Sequence, residues 1–283
     1  MNPLSVGARP GVGGDGQRVA VVIPAKNESA RIAATVRAAL TIPMVDLVLV
    51  VDDGSSDDTG HQAREAGAVV VRHPCNRGKA AAMETGAAIV AMRDEDGVPP
   101  RLLLFIDADL GASAVGTEPL IGPVAAGQAD FTVAVLPRQA GAGGFGLVMG
   151  LARAGIARAT GFVAMAPLSG MRCLTRVAFE AATPLAHGWG VETGMTIDLL
   201  RQGFVVQEVP CNLKHRASGK DLPGLLHRAD QYKDVALALT HRAVKIVVLC
   251  TGRAVKAALT PGYRPAQGRK ALPAGRSSVS TPR

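Results

Sequence analysis

The apolar positions of this chain fall in short unbroken runs. VAVVIP (19–24), DLVLVVDD (46–53), AVVVRH (68–73) and LLLFIDAD (102–109) each read as a strand that is apolar on both faces. Helical periodicity fills the gaps at about 29–40, 59–66 and 79–92. A strand with one wetted face would alternate, so continuous apolar strands between amphipathic helices predict a mostly parallel, twisted sheet covered on both sides. Beyond Asp109 the rhythm loosens: a helix at about 118–126, a strand over 131–136, a glycine-rich GAGGFG (141–146) read as a mobile loop, a long stretch over 147–160, a helix at about 190–201 and a strand over 205–210. No internal repeat is visible. The expectation is one α/β domain over 18–260, between ends at 1–17 and 261–283 that are rich in Gly, Pro, Ser and Arg and read as flexible, the second of them basic.

Composition changes this picture little. With 283 residues, 48% of them hydrophobic, the chain can bury a sizeable core, which excludes disorder throughout. No run reaches the roughly 18–20 apolar residues of a membrane helix, and residues 1–17 lack the apolar centre of a secretory signal, so the expected location is cytoplasmic. Cys75, Cys173, Cys211 and Cys250 are scattered without C-x-x-C spacing, against a zinc knot or redox pair. The net charge of +8 suits anionic ligands such as nucleotides or phospholipid headgroups. Much of it lies in Arg242, Lys245, Arg253, Lys256, Arg264, Arg269, Lys270, Arg276 and Arg283, with no acidic residue among them, and so belongs to a tail.

Candidate chemistry collects at strand ends. Pro24-Ala25-Lys26-Asn27-Glu28 closes the first strand and Asp52-Asp53-Gly54-Ser55-Ser56-Asp57-Asp58-Thr59 the second, where open α/β sheets bind ligands. Acidic residues there can accept from a base N–H or from ribose hydroxyls; turn chemistry and helix capping by Ser56 or Asp57 would account for them equally well. Asp107-Ala108-Asp109 ends an otherwise apolar strand, so its two carboxylates would point the same way. Burying such a pair is costly without a counter-ion, and a hard divalent cation bridging Asp oxygens and a diphosphate would remove the cost. Arg77-Gly78-Lys79 puts a cation at a helix N-terminus, suited to a phosphate or sugar oxygen, although the spacing of a Walker loop is absent.

In this order, P-A-x-N-E, D-D-G-S-x-D-x-T and D-x-D resemble the family 2 glycosyltransferases of GT-A fold, over about residues 18–216. Pro167-Leu168-Ser169-Gly170, Gly188-Trp189-Gly190-Val191-Glu192-Thr193-Gly194 and Lys214-His215-Arg216 look like segments of bacterial glucosyl-3-phosphoglycerate synthases and their relatives. The resemblance implies a metal-dependent enzyme that moves a sugar from a nucleotide sugar, most simply a UDP-sugar. Pro24, Ala25, Glu28 and Asp53 would hold the uridine, with Asp52 beside them; Lys79 and Asp107 the ribose or donor sugar; Glu192 the sugar hydroxyls, with Trp189 nearby; and Asp109 and His215 a Mg²⁺ or Mn²⁺ ion. Lys79, Asp107, Asp109 and Glu192 form the expected catalytic set.

The chain departs from the synthases where they bind the acceptor phosphate: Gly143-Gly144-Phe145-Gly146-Leu147-Val148 stands for G-G-x-R-V-T, and His215-Arg216-Ala217-Ser218 for H-R-N-R. Donor chemistry therefore carries over, while the acceptor stays unidentified, with phosphate-bearing and lipid-linked acceptors both in view. Nor is there a Q-x-x-R-W segment of processive polysaccharide synthases. The rival readings are a sugar-phosphate nucleotidyltransferase, which would need a basic glycine-rich loop after the first strand, and a non-catalytic nucleotide-sugar-binding protein. Residues 234–259 read as an apolar helix broken by Arg242, Lys245, Arg253 and Lys256, which predicts peripheral contact with the inner face of a membrane or, equally, a helix packed on the domain. A homodimer is a further expectation; nucleic acid is not an expected partner.

Overall fold

A computed structural model describes residues 16–137, 146–213 and 230–244. As far as Ala243 they belong to one compact unit; of the second, Val244–Arg283, only Val244 is described. The strands are β1 (Val19–Ala25), β2 (Val45–Asp52), β3 (Val69–Arg72), β4 (Leu102–Phe105), β5 (Phe131–Val135), β6 (Arg172–Leu174) and β7 (Val206–Pro210). They form one sheet in the order β3-β2-β1-β4-β6-β5-β7. All neighbours run parallel except β6, which is antiparallel to both β4 and β5.

The helices are α1 (Ile32–Ala39), α2 (Thr59–Glu65), α3 (Lys79–Ala91), α4 (Ile121–Ala125), α5 (Gly146–Thr160), α6 (Arg176–Ala182), α7 (Val191–Arg201) and α8 (230–244). Both sheet faces are covered, which is why the strand sequences run apolar without alternation. Val19, Val21 and Ile23 of β1 face α1, α2 and α4, whereas Ala20 and Val22 face α3. Leu102 and Leu104 of β4 join the first layer, and Leu103 and Phe105 join α3, α6 and α7 in the second. Helix α3 lies unusually close to the sheet: a Cβ on Gly86 would stand 2.4 Å from Val22 Cγ1, a separation only glycine permits.

Two elements were not legible in the pattern. Strand β6 has only three residues, too few to show a period, and begins with an arginine. Helix α6 follows at once, its N-terminus capped by Thr175, whose hydroxyl accepts from Ala178 N. Two expectations are corrected. The helix expected at 118–126 is a 3-10 segment over Gly111–Leu120 leading into the short α4, because Pro119 sits inside it and lacks the N–H a regular helix turn would use. The fourth strand ends at Phe105 rather than at Asp109, so Asp107 and Asp109 lie in the loop beyond it. That loop is fixed by the buried Thr35 of α1, whose hydroxyl donates to Ala108 O at 2.8 Å and accepts from Gly111 N at 2.8 Å.

Candidate active site

The loops after β1, β2 and β4 stand side by side because these strands are neighbours and parallel, so their C-terminal ends open on one crevice. At the opposite end, charges are consumed structurally: Arg101 binds Asp46 and Asp94, Arg176 binds Asp94, and Arg18 binds Glu95.

The first two loops are stitched together by their own polar groups. Asn27, in a left-handed conformation with φ 55°, accepts from Ser56 N at 2.9 Å and donates its N–H to Ser55 Oγ at 3.0 Å. Glu28 N donates to Thr59 Oγ1 at 2.8 Å, and Ser29 N to Asp57 Oδ2 at 3.2 Å. Burial alone would raise the pKa of Asp57, but bonds from Thr59 and Ser29 outweigh it and bring it down to about 2. Asp52 has no exposed atom; its Oδ1 accepts from Ser55 N at 2.9 Å and Arg72 approaches Oδ2 at 3.5 Å, so its carboxylate is held inside the turn. Gly54, at φ 68°, is required because a Cβ there would strike the Cys75 backbone at 2.6 Å. Pro24 and Glu28 remain partly exposed beside the crevice, and Ala25 is buried. A separate open depression of about 470 Å³ is lined by Ser29, Ala30, Ser56, Asp57, Asp58 and Gln62, none of which belongs to the Lys79 cluster described next.

Asp53 organises the third element of the site. Its carboxylate accepts from Arg77 N at 2.8 Å and Gly78 N at 2.8 Å and lies 2.7 Å from His73 Nδ1. Burial pushes its pKa up, yet these partners, Arg77 N foremost, hold it below the ordinary carboxylate range. Asp53 thereby fixes the turn that launches α3, whose first residue is Lys79. Lys79 Nζ reaches Asp107 Oδ1 at 3.1 Å and Glu192 Oε1 at 2.9 Å. Burial would lower the lysine pKa, but Asp107 and Glu192 together hold it well above its usual value. Gly170 completes the cluster: a Cβ there would lie 2.6 Å from Asp107 Oδ1 and 2.8 Å from Lys79 Nζ. Lys79, Asp107 and Glu192, far apart in sequence, are thus one ion cluster, with Glu192 only 3% exposed at the start of α7.

Asp109 is partly exposed and makes no hydrogen bond or ion pair with any described residue. Two carboxylates at 107 and 109 suit a hard cation that completes its shell with diphosphate oxygens and water. Among the described residues no group of three His, Cys, Asp or Glu surrounds such an ion. His215 lies outside the described residues, as do Lys214, Arg216, Ala217, Ser218 and Gly143 to Phe145.

Residues 20–152 match the family model described as glycosyl transferase family 2. Over that stretch the chain is similar to the family 2 glycosyltransferases. Its sheet is that of the GT-A fold: glucosyl-3-phosphoglycerate synthase from Mycobacterium tuberculosis, solved in complex with phosphoglyceric acid, superposes with TM-score 0.64 at 28% identity over 80% of each chain. The same synthase in complex with Mg²⁺ and UDP gives TM-score 0.64 at 26% identity over 80% of this chain and 79% of that one. Among curated sequences, glycosyltransferase AglJ of Haloferax volcanii is 28% identical over 62% of this chain and 56% of its own. The M. tuberculosis synthase is 29% identical over 65% of this chain. The chain thus spans 56% and 61% of the length of these two curated relatives.

The segment before Glu192 is braced from behind by α8. Trp189 N donates to Asp234 Oδ2 at 3.1 Å, and Trp189 is 38% exposed at the turn. Of the cations in 234–259, Arg242 faces the domain: it is 8% exposed, forks onto Asp198 of α7, and donates to Ala238 O at 3.2 Å. An arginine spent inside the domain cannot contact a headgroup. Lys245, Arg253 and Lys256 lie outside the described residues, and among the described residues no helix is long and apolar enough to cross a membrane.

The sequence reading missed Arg172, His73 and Thr35. Only Arg172 left a signal: an arginine inside the apolar M-R-C-L must be buried with hydrogen-bond acceptors in reach.

Proposed function

We propose that this chain transfers a sugar from a UDP-sugar to an acceptor oxygen with the help of Mg²⁺ or Mn²⁺. The observation that carries the reading is the Lys79–Asp107–Glu192 cluster at the C-terminal edge of the sheet, beside the Asp53-organised turn. The M. tuberculosis synthase solved with Mn²⁺, UDP and glucosyl-3-phosphoglycerate supports it.

Pro24, Ala25 and Glu28 line the uridine side, with Asp52 and Asp53 shaping the turn beneath. Asp109 and His215 would hold the cation, which would supply positive charge to the diphosphate of the donor. Lys79, kept protonated by its two carboxylates, donates to a diphosphate or ribose oxygen, where negative charge grows in the transition state. Glu192 accepts from donor sugar hydroxyls, and Trp189 borders the same end. The acceptor oxygen attacks the anomeric carbon, the bond from that carbon to the β-phosphate oxygen breaks, and its electron pair leaves with UDP.

We read the acceptor as a phosphate-bearing or lipid-linked one, and 3-phosphoglycerate as a poor one, because the segments at 143–148 and 215–218 depart from the synthase pattern. The rival nucleotidyltransferase is disfavoured, since the loop after β1 is zipped to the β2 turn rather than basic and glycine-rich. Calorimetry with UDP, with and without Mn²⁺, tests the donor reading, together with mass spectrometry of UDP-sugars incubated with the full chain. Metal-dependent UDP binding and slow release of UDP are expected; absence of both overturns the proposal. Turnover of 3-phosphoglycerate at about 1 per second or faster overturns the acceptor reading.

A further inference from the structure

Behind the ion cluster lies a second cation that the donor reading leaves unused. Arg172 sits on β6, the antiparallel strand between β4 and β5, and is 1% exposed. Its Nε donates to Ser169 O at 2.7 Å and its Nη1 to Glu192 O at 3.0 Å. Its guanidinium also lies 5.4 Å from the centre of the Phe131 ring. Among the described residues Nη2 is buried without a partner, as are Ser169 Oγ and Thr193 Oγ1, the hydroxyls beside the two segments it grips. No described carboxylate bonds Arg172 directly; Glu192 and Asp107 are the anions whose field it feels.

A buried guanidinium without a salt bridge is expensive, and a sheet interior filled by Phe105, Phe131 and Leu174 would accept an apolar residue more cheaply. What the arginine does, and an apolar residue cannot, is tie two chain segments with one rigid fork. One prong holds the carbonyl next to Gly170, whose backbone presses on Asp107 and Lys79; the other holds the carbonyl of Glu192 at the start of α7.

We propose that Arg172 is a positioning residue for the donor sugar: it sets Glu192 and Gly170 against the Lys79–Asp107 pair, so that the sugar end of the donor is bound in a fixed geometry while the nucleotide end is held elsewhere. This rests on the UDP-sugar reading above. Burial lowers the arginine pKa to about 10, opposed by Glu192 and Asp107, so the side chain stays a cation across the range in which the protein would be assayed.

The test compares wild type, Arg172→Lys and Arg172→Met in the full chain. Dissociation constants for UDP and for UDP-glucose are measured by calorimetry with Mn²⁺, and folding is checked by thermal melting. Lysine keeps the charge but, with a single ammonium, loses the fork. The expected result is UDP affinity within twofold of wild type in both variants, with UDP-glucose affinity weakened about fivefold in the lysine variant and tenfold or more in the methionine variant. UDP-glucose affinity that stays within twofold in the folded lysine variant overturns the proposal, and so does an equal loss of UDP. If the methionine variant fails to fold, the lysine variant alone decides. Wild-type protein that binds neither ligand overturns the donor reading, and the role of Arg172 falls with it, whereas wild type that binds both isolates the failure to Arg172.

Discussion

Gly170 and Asp107 are so close that a single methyl group cannot be placed between them: a Cβ on Gly170 would lie 2.6 Å and 2.7 Å from the two carboxylate oxygens. The atoms it would meet are the movable ends of Asp107 and Lys79, not backbone. Gly170→Ala is therefore expected to fold with a melting temperature within about 3 °C of wild type, a change of about 1 kcal/mol, while displacing the ion cluster. Metal-dependent UDP-sugar affinity should fall about tenfold, equivalent to about 1.4 kcal/mol. A folded variant with unchanged affinity would show that the cluster is not part of the donor site.

Asp109 stands apart from that cluster, partly exposed and with no bond to any described residue. Nothing in the described fold depends on it. Asp109→Ala should leave the melting curve unchanged and abolish the Mn²⁺-dependent part of UDP binding. Calorimetry with and without the metal measures both, and unaltered metal dependence refutes its assignment as a ligand.

Asp57 links acid sensitivity to the stitched loops. Its folded pKa of about 2 lies below the ordinary 3.8. A depressed carboxylate contributes stability that is fully present above the unfolded value and is lost as pH falls through the folded one. The stabilising contribution should therefore disappear between pH 3.8 and about 2. Asp57→Asn should lower the melting temperature at pH 5, and its difference from wild type should shrink as the pH approaches 2. A gap that is constant across that window would mean the carboxylate carries no linked stability.

Arg242 fastens α8 to α7 through its fork on Asp198. Arg242→Ala removes a mostly buried ion pair and leaves Asp198 facing the gap. A loss of about 2 kcal/mol, or roughly 4–8 °C in melting temperature, is expected. Binding to anionic vesicles by co-sedimentation should not change, because the guanidinium faces inward. Weakened vesicle binding by the folded variant would restore Arg242 to a membrane surface.

The loops at the ends of β1 and β2 were legible because their residues are contiguous. Turn signals, a helix N-terminus and two carboxylates each announce themselves within a few residues, and the loops at 24–28 and 52–59 do adjoin. Their roles were less legible. Asp52 and Asp53 read alike in sequence, yet one is closed inside its own turn and the other fastens Arg77 and Gly78 ahead of Lys79. Which neighbour a carboxylate spends its oxygens on depends on where a strand stops and a helix begins, to within one residue. A strand end set four residues too late misplaced Asp107 and Asp109 on a strand that ends at Phe105.

By itself the sequence determined the layered α/β sheet, since unbroken apolar runs of strand length can be buried only between two helical layers, and it determined the charges gathered at the sheet's C-terminal edge. The tertiary structure alone decided that Lys79, Asp107 and Glu192 meet, that Gly170 must lack a side chain, and that an arginine from a three-residue strand lies beneath them. Each of these joins residues tens of positions apart. Local propensity and periodicity act over a few residues, so such meetings are set only when β6 inserts antiparallel between β4 and β5 and carries the 169–172 segment to the ends of β1 and β4.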